Sequence, residues 1–272
     1  MRKKRNSARL FAILVMATAL TACGNLANSV TGEVQQTVMG EGSGSGRLVS
    51  VENRSYTQDE IEELEVNAHA MEIQIERSKD ERAEVELLAD DNLRDRFEFE
   101  AKVNSGLLTV TIKEKSKHAL KDRTGARKLR IALPDKMYRK LKVNSDFGSV
   151  HASDVETKAA DFRIDVGDIR VKSVTGKLDL KANAGEIVVE DISLANDLKA
   201  RTDVGKIAIH LNMSPENVGF QLESKVGEVK VDLDKVEFSK QMFNKKVGTI
   251  GTPNVQVDAY AAMGEIVVDA LS

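Results

Sequence analysis

Thr202-Asp-Val-Gly-Lys-Ile-Ala-Ile209 is the stretch on which the fold is read: a small or polar residue, two residues, Gly, any residue, then two apolar residues one apart. The same phrase stands at Ser145-Asp-Phe-Gly-Ser-Val150, Ile164-Asp-Val-Gly-Asp-Ile-Arg-Val171 and Ala182-Asn-Ala-Gly-Glu-Ile-Val-Val189. It returns as Ser224-Lys-Val-Gly-Glu-Val-Lys-Val231 and Ala261-Ala-Met-Gly-Glu-Ile-Val-Val268, while Val174-Thr-Gly-Lys-Leu-Asp-Leu180 lies halfway between two of the others. The repeat glycines are therefore Gly148, Gly167, Gly176, Gly185, Gly205, Gly227 and Gly264. Leaving out the halfway Gly176, the glycines from Gly148 to Gly227 are 19, 18, 20 and 22 residues apart by subtraction, a period that marks a solenoid.

After each Gly the apolar residues alternate with polar ones, as in Ile169 and Val171, Leu178 and Leu180, Ile187 and Val189, Ile207 and Ile209. A period of two belongs to strands, and the opposite phase (Asp168, Arg170, Lys172; Lys177, Asp179, Lys181) suits a face open to water. The reading is an all-β, single-stranded β-solenoid of short strands with rungs of about 18–22 residues, in which Gly sits where a β-carbon would obstruct a corner. One rung cannot bury its own apolar face, so stacking supplies the core.

Outward from the repeat, four segments follow. Residues 1–22 read as a lipoprotein signal peptide: Arg2, Lys3, Lys4, Arg5 and Arg9 precede an apolar run from Leu10 to Leu20 that is too short to span a bilayer. The run ends in Leu20-Thr21-Ala22-Cys23, a lipobox in which Cys23 is the lipidated residue and the one cysteine of the chain. Two acyl chains suffice for stable anchoring, which puts the protein on the extracytoplasmic face of the cell membrane. Residues 23–47 read as a flexible Gly/Ser tether, on Gly40-Glu-Gly-Ser-Gly-Ser-Gly46. Residues 48–143 read as irregular N-terminal β rungs, or as a separate small β domain, with charged loops at Lys79–Glu84 and Lys113–Arg127, the second able to form a short helix. Residues 144–272 read as the regular solenoid, closed by Val255, Val257, Ile266 and Val268. Phe238 and Phe243 read as a plug on the open end of the core, or as a partner surface.

Charge narrows the function. Removing residues 1–22 leaves 40 − 5 = 35 Lys and Arg against 43 Asp and Glu, a net charge of −8, so no nucleic-acid partner is expected. His69, His118, His151 and His210 fall in different segments and form no zinc motif, and no nucleophile elbow or phosphate-binding loop appears. There is no Trp and there are three Tyr, little for the aromatic platforms of a carbohydrate-cleaving cleft. The expectation is no catalytic residue, no cofactor and no metal.

Two residues before the Gly stand Asp146, Asp165, Asn183 and Asp203, which stacking places about 4.8 Å apart up one edge. Turn chemistry accounts for Asp and Asn at a corner; a Ca²⁺-binding oxygen ladder is the alternative, weakened by Lys225 at the next matching place.

The lipobox, the strands Leu64-Glu-Val66 and Met71-Glu-Ile-Gln-Ile75, Leu129-Arg-Ile-Ala-Leu-Pro134 followed by Leu141-Lys-Val143, and the train of Gly-x-Ile/Val-x-Val units together resemble the bacterial putative-adhesin family, domain of unknown function 4097. The resemblance runs from about Glu60 to the end. It implies a β-strand repeat fold outside the cell, in some members associated with envelope-stress systems, and no established enzymatic activity. The expected role is a binding or scaffold surface touching envelope polymer or a membrane protein, with an accessory role in envelope-stress sensing as the alternative.

Overall fold

A computed structural model of the chain describes residues 47–115 and 125–270. The signal segment, the lipobox Leu20–Ala22 with Cys23, the tether up to residue 46, His118 and most of the Lys113–Arg127 loop lie outside the described residues. In chain order the strands are β1 (Leu48–Thr57), β2 (Glu63–Arg77), β3 (Arg82–Asp90), β4 (Phe97–Asn104), β5 (Leu107–Glu114), β6 (Arg127–Leu133), β7 (Lys140–Ser153), β8 (Ala159–Lys172) and β9 (Lys177–Ala184). They continue as β10 (Ile187–Ile192), β11 (Leu198–Val204), β12 (Ile207–Leu211), β13 (Val218–Val226), β14 (Val229–Asp232), β15 (Glu237–Met242), β16 (Lys245–Ile250), β17 (Val255–Met263) and β18 (Ile266–Ala270).

A rung is either one long strand bent at its middle or two short strands on either side of a corner glycine. Parallel pairing stacks β2 on β7, β7 on β8, β8 on β9 and β10, and these on β11 and β12. The first halves of the rungs pair with one another and so do the second halves, as two walls of one 18-stranded sheet bent at the corners, so the solenoid reading holds. Between the two walls run unbroken apolar rows. Ile73, Val150, Ile169, Ile187, Ile207, Ile266 and Val229 are in register and buried, which is why the residue two after each glycine is Ile or Val. Branched side chains fit a pleated surface and each contributes roughly 1.5–3 kcal/mol when taken out of water.

The order of the rungs departs from the order of the sequence. The last unit does not close the stack: β17 pairs with β11 on one edge and with β13 on the other, and β18 likewise lies between β12 and β14. The rung β13/β14 is therefore outermost, although the rung β17/β18 follows it in the chain. The cause is the hairpin β15–β16, which folds back antiparallel onto β13 and occupies its outer edge. Both edges of β13 are thus paired, with β16 on the outer side and β17 on the side facing β11.

The opposite end is built the same way. The chain leaves the stack after β2 and returns in β7 to pair with it along nearly its whole length. The intervening residues cover the end of the core: β4 and β5 form a hairpin on the first half of β2, and β6, β3 and β1 extend its second half. Tyr138 is fully buried beside this junction, its hydroxyl donating to the Pro134 carbonyl at 3.0 Å, and burial raises its pKa. At the far end the plug expected from Phe238 and Phe243 is supplied by other residues. Val231, Leu233 and Val236 pack against the core, while Phe243 is 70% exposed at the turn of the β15–β16 hairpin. Residues 243–244 spend their carbonyls on the amides of Val229 and Ser224, which turns the Phe243 ring away from the core.

Candidate functional site

The corner between the two halves of each rung is the most regular feature of the molecule. Gly148, Gly167, Gly185, Gly205, Gly264 and Gly227 stack there in that spatial order, with φ between +115° and +150°. A β-carbon on Gly167 would sit 1.8 Å from the Gly148 carbonyl oxygen, and one on Gly264 would sit 1.6 Å from that of Gly205. No side chain fits, because the carbonyl below points where it would go. Gly176 stands apart from this column, at the opposite corner over the Thr157 carbonyl. Polar cross-links tie the column together: the Thr202 hydroxyl donates to the Gly185 carbonyl at 3.3 Å and the Ser224 hydroxyl to that of Gly264 at 2.8 Å.

The residues two before the glycine do form a ladder. Its members bond to one another across rungs: Asn183 Nδ2 donates to Asp165 Oδ1 at 2.8 Å, and His69, the β2 member of the column, lies 2.5 Å from Asp146 Oδ2. An amide and an imidazole thus separate or cap carboxylates that would otherwise repel. Among the described residues no group of three His, Cys, Asp or Glu is placed to hold a metal ion. A second His–Asp pair, His210 with Asp269 at 2.7 Å, lies on the other side of the corner, between β12 and β18.

Charged residues on the outer faces pair from rung to rung. Examples are Lys142 with Glu65 at 2.8 Å, Lys128 with Glu72 at 3.0 Å, Arg130 with Glu76 at 2.6 Å and Lys230 with Glu265 at 2.7 Å. The Lys142 ammonium, donating to Glu65, lowers that carboxyl's pKa. On the other side of the corner half-buried His151 has its pKa lowered, first by burial and further by Arg170 and Lys128, against Glu72 and Asp168. An open groove of about 290 Å³ over β11, β17 and β13 is lined by Arg201, Gln221, Glu223, Asp258, Ala259 and Tyr260.

One surface feature was not extracted from the sequence. The residue before each corner glycine is apolar, and these residues, Phe147, Val166, Ala184, Val204, Met263 and Val226, stand in register with one another and with Ala70, which precedes Met71 at the same place in β2. Strict alternation from buried Thr202 would send Val204 inward, yet Val204 is 42%, Met263 54% and Val226 61% exposed. The left-handed glycine breaks the alternation and leaves its predecessor on the outside of the bend. The signal was present in the quoted phrases as Phe-Gly, Val-Gly, Ala-Gly and Met-Gly.

A family profile described as Toastrack DUF4097 matches residues 131–269, which is 139 of the 272 residues. No curated protein matches the chain. Among solved structures, a putative cell adhesion protein from Clostridium sporogenes is 14% identical with a TM-score of 0.50, covering 84% of this chain and 100% of its own. A putative adhesin from Bacteroides fragilis is 14% identical with a TM-score of 0.42, covering 84% of this chain and 98% of its own. At these identities the likeness concerns the fold.

Proposed function

This chain belongs to the Toastrack DUF4097 family, and from that premise we propose that it is a non-catalytic lipoprotein of the cell envelope whose solenoid is a binding or scaffold surface. The observation that carries the reading is the stack of rungs from β2 to β13/β14. It presents long, in-register rows of side chains on a rigid frame instead of a deep cleft with convergent reactive groups. Such rows suit an elongated partner, an envelope polymer or a membrane protein. The lipobox ending in Cys23 supports placement at the membrane through a lipid anchor on the extracytoplasmic face, with residues 24–46 as the spacer. The Clostridium sporogenes neighbour, described as a putative cell adhesion protein, agrees with display at the surface.

Two measurements test it. Cys23→Ala moves the protein from the membrane fraction to the soluble fraction; membrane association that survives with the signal still processed refutes the anchor. The full chain, used as bait on solubilised envelope with mass spectrometry and glycan analysis as readouts, enriches a wall or surface polymer or a membrane protein. Enrichment of neither refutes the binding surface. A membrane protein alone, together with a changed envelope-stress reporter on deletion, selects the accessory role in stress sensing over adhesion.

A further inference from the structure

The exposed ridge at the glycine corner is the part of this surface whose chemistry specifies a partner. Seven apolar positions from Ala70 to Val226 follow one another at about 4.8 Å, a line of roughly 29 Å that is half-buried from Ala70 to Ala184 and exposed at Val204, Met263 and Val226. It runs on to Phe243, whose neighbour Asn244 is bonded to Ser224. Exposed apolar side chains aligned in this way mark an interaction surface, where scattered ones do not.

The two columns flanking the ridge are acidic. On the side two residues before the glycine stand Asp146, Asp165 and Asp203, against Lys225 at the far end. On the side one residue after it stand Asp168, Glu186, Glu265 and Glu228, with Ser149 and Lys206 and, in register in β2, Glu72 after Met71. Eight carboxylates against two lysines border an apolar line on a chain whose charges otherwise nearly balance. Lysines and arginines behind the second column pair with four of its five carboxylates, Lys128 with Glu72 at 3.0 Å, Arg170 with Glu186 at 3.8 Å and Lys230 with Glu265 at 2.7 Å and Glu228 at 3.2 Å, while Asp168 accepts from the Glu186 amide. The first column, Asp146, Asp165 and Asp203, is therefore the acidic flank that a cationic partner meets.

We infer that this ridge binds a cationic amphipathic helix, its apolar stripe on the Val204–Met263–Val226 line and its lysines or arginines against the flanking carboxylates. This deepens the binding-surface reading and rests on it. A helix of about 20 residues is about 30 Å long, the length of the ridge, and successive turns 5.4 Å apart approximate the rung spacing. A second copy of this chain is disfavoured, because a twofold axis through the middle of the ridge sets Glu186 against Glu186 and Asp165 against Asp203. An anionic membrane is disfavoured by the same carboxylates.

The probe is a fluorescent 20-residue Leu/Lys helix with leucines at i, i+3, i+4 and i+7, beside a twin with Glu in place of Lys. Anisotropy is read on the full chain, kept soluble by a non-ionic detergent below its micelle-forming concentration. The Lys helix binds and the Glu helix does not, and the affinity falls several-fold as salt is raised from about 0.1 M to 1 M. Val204→Ser with Met263→Ser weakens binding at least about tenfold with the urea melt unchanged, as expected for loss of two anchors. Asp165→Lys with Asp203→Lys, which spares the ridge, weakens the Lys helix and admits the Glu helix.

Binding of both helices, binding that survives the serine pair, or no binding overturns the inference. So does a concentration-dependent dimer in sedimentation that the serine pair abolishes, which makes the ridge a self-interface. If the Lys helix fails while the envelope capture succeeds, the ridge is refuted and the binding-surface reading stands; failure of both refutes both.

Discussion

Gly264→Ala tests both the glycine column and the rung order in one substitution. The alanine β-carbon would lie 1.6 Å from the Gly205 carbonyl oxygen, with φ at +142°. Relief requires the two rungs to separate by more than 1 Å locally. That weakens two backbone bonds of 2.9 Å between them, Gly205 N–H to the Met263 carbonyl and Ile207 N–H to the Glu265 carbonyl. Strained backbone for a residue with a β-carbon costs about 1–3 kcal/mol and each bond about 1 kcal/mol, giving about 4 kcal/mol. With an m-value of about 2.5 kcal/mol/M in urea, the midpoint falls by roughly 1.5 M.

The control is Gly219→Ala. Its β-carbon would meet only the carboxamide end of Gln256, 2.4 Å away, on a flexible exposed side chain that can swing aside. This variant loses less than about 1 kcal/mol. Hydrogen exchange on Gly264→Ala then locates the damage. Because β17/β18 is an internal rung, protection is lost at Gly205 and Ile207, which donate into it, and across β13 and β14, which it carries. A rung at the end of the stack would only fray. The reasoning is refuted if Gly264→Ala costs no more than Gly219→Ala, or if β13 and β14 keep their protection.

Two further outcomes concern charge. Burial holds the folded-state pKa of His151 below its unfolded value, so its contribution to stability is complete above about pH 6.5 and shrinks as pH falls through that value. The Tm of the parent should drop more between pH 7.5 and 5.5 than that of His151→Gln, and parallel profiles would refute this. Glu114 pairs with buried Arg127 at 3.5 Å beneath the β4–β5 hairpin. Glu114→Ala removes one carboxylate from that buried guanidinium and costs about 3 kcal/mol in a urea melt, whereas Glu114→Leu with Arg127→Met recovers most of the loss. A double variant no more stable than the single one would count against a buried pair.

Much of this fold was legible along the chain, for a local reason. A corner where one rung's carbonyl occupies the β-carbon position of the next admits only glycine, so each turn is written into the sequence as Gly148, Gly167, Gly185, Gly205, Gly227 or Gly264. The rows on either side follow from alternation: Ile169 and Val171 inward, Asp168 and Arg170 outward. The Asp and Asn of the ladder were visible at their spacing. Their hydrogen bonds to each other were not, because these join residues as distant as His69 and Asp146.

Only the tertiary structure decided which rung lies beside which. Every unit offers the same pattern of amides and carbonyls at both edges, and the Ile and Val rows of any two units interlock equally well, so the repeat is degenerate in stacking order. The degeneracy is broken by the antiparallel hairpin of β15 and β16, which takes the outer edge of β13 and leaves the last unit, β17/β18, to fill the space beside β11 and β12. The same step aligns Val204, Met263 and Val226 as neighbours on one exposed ridge, an adjacency that the order of residues along the chain does not contain.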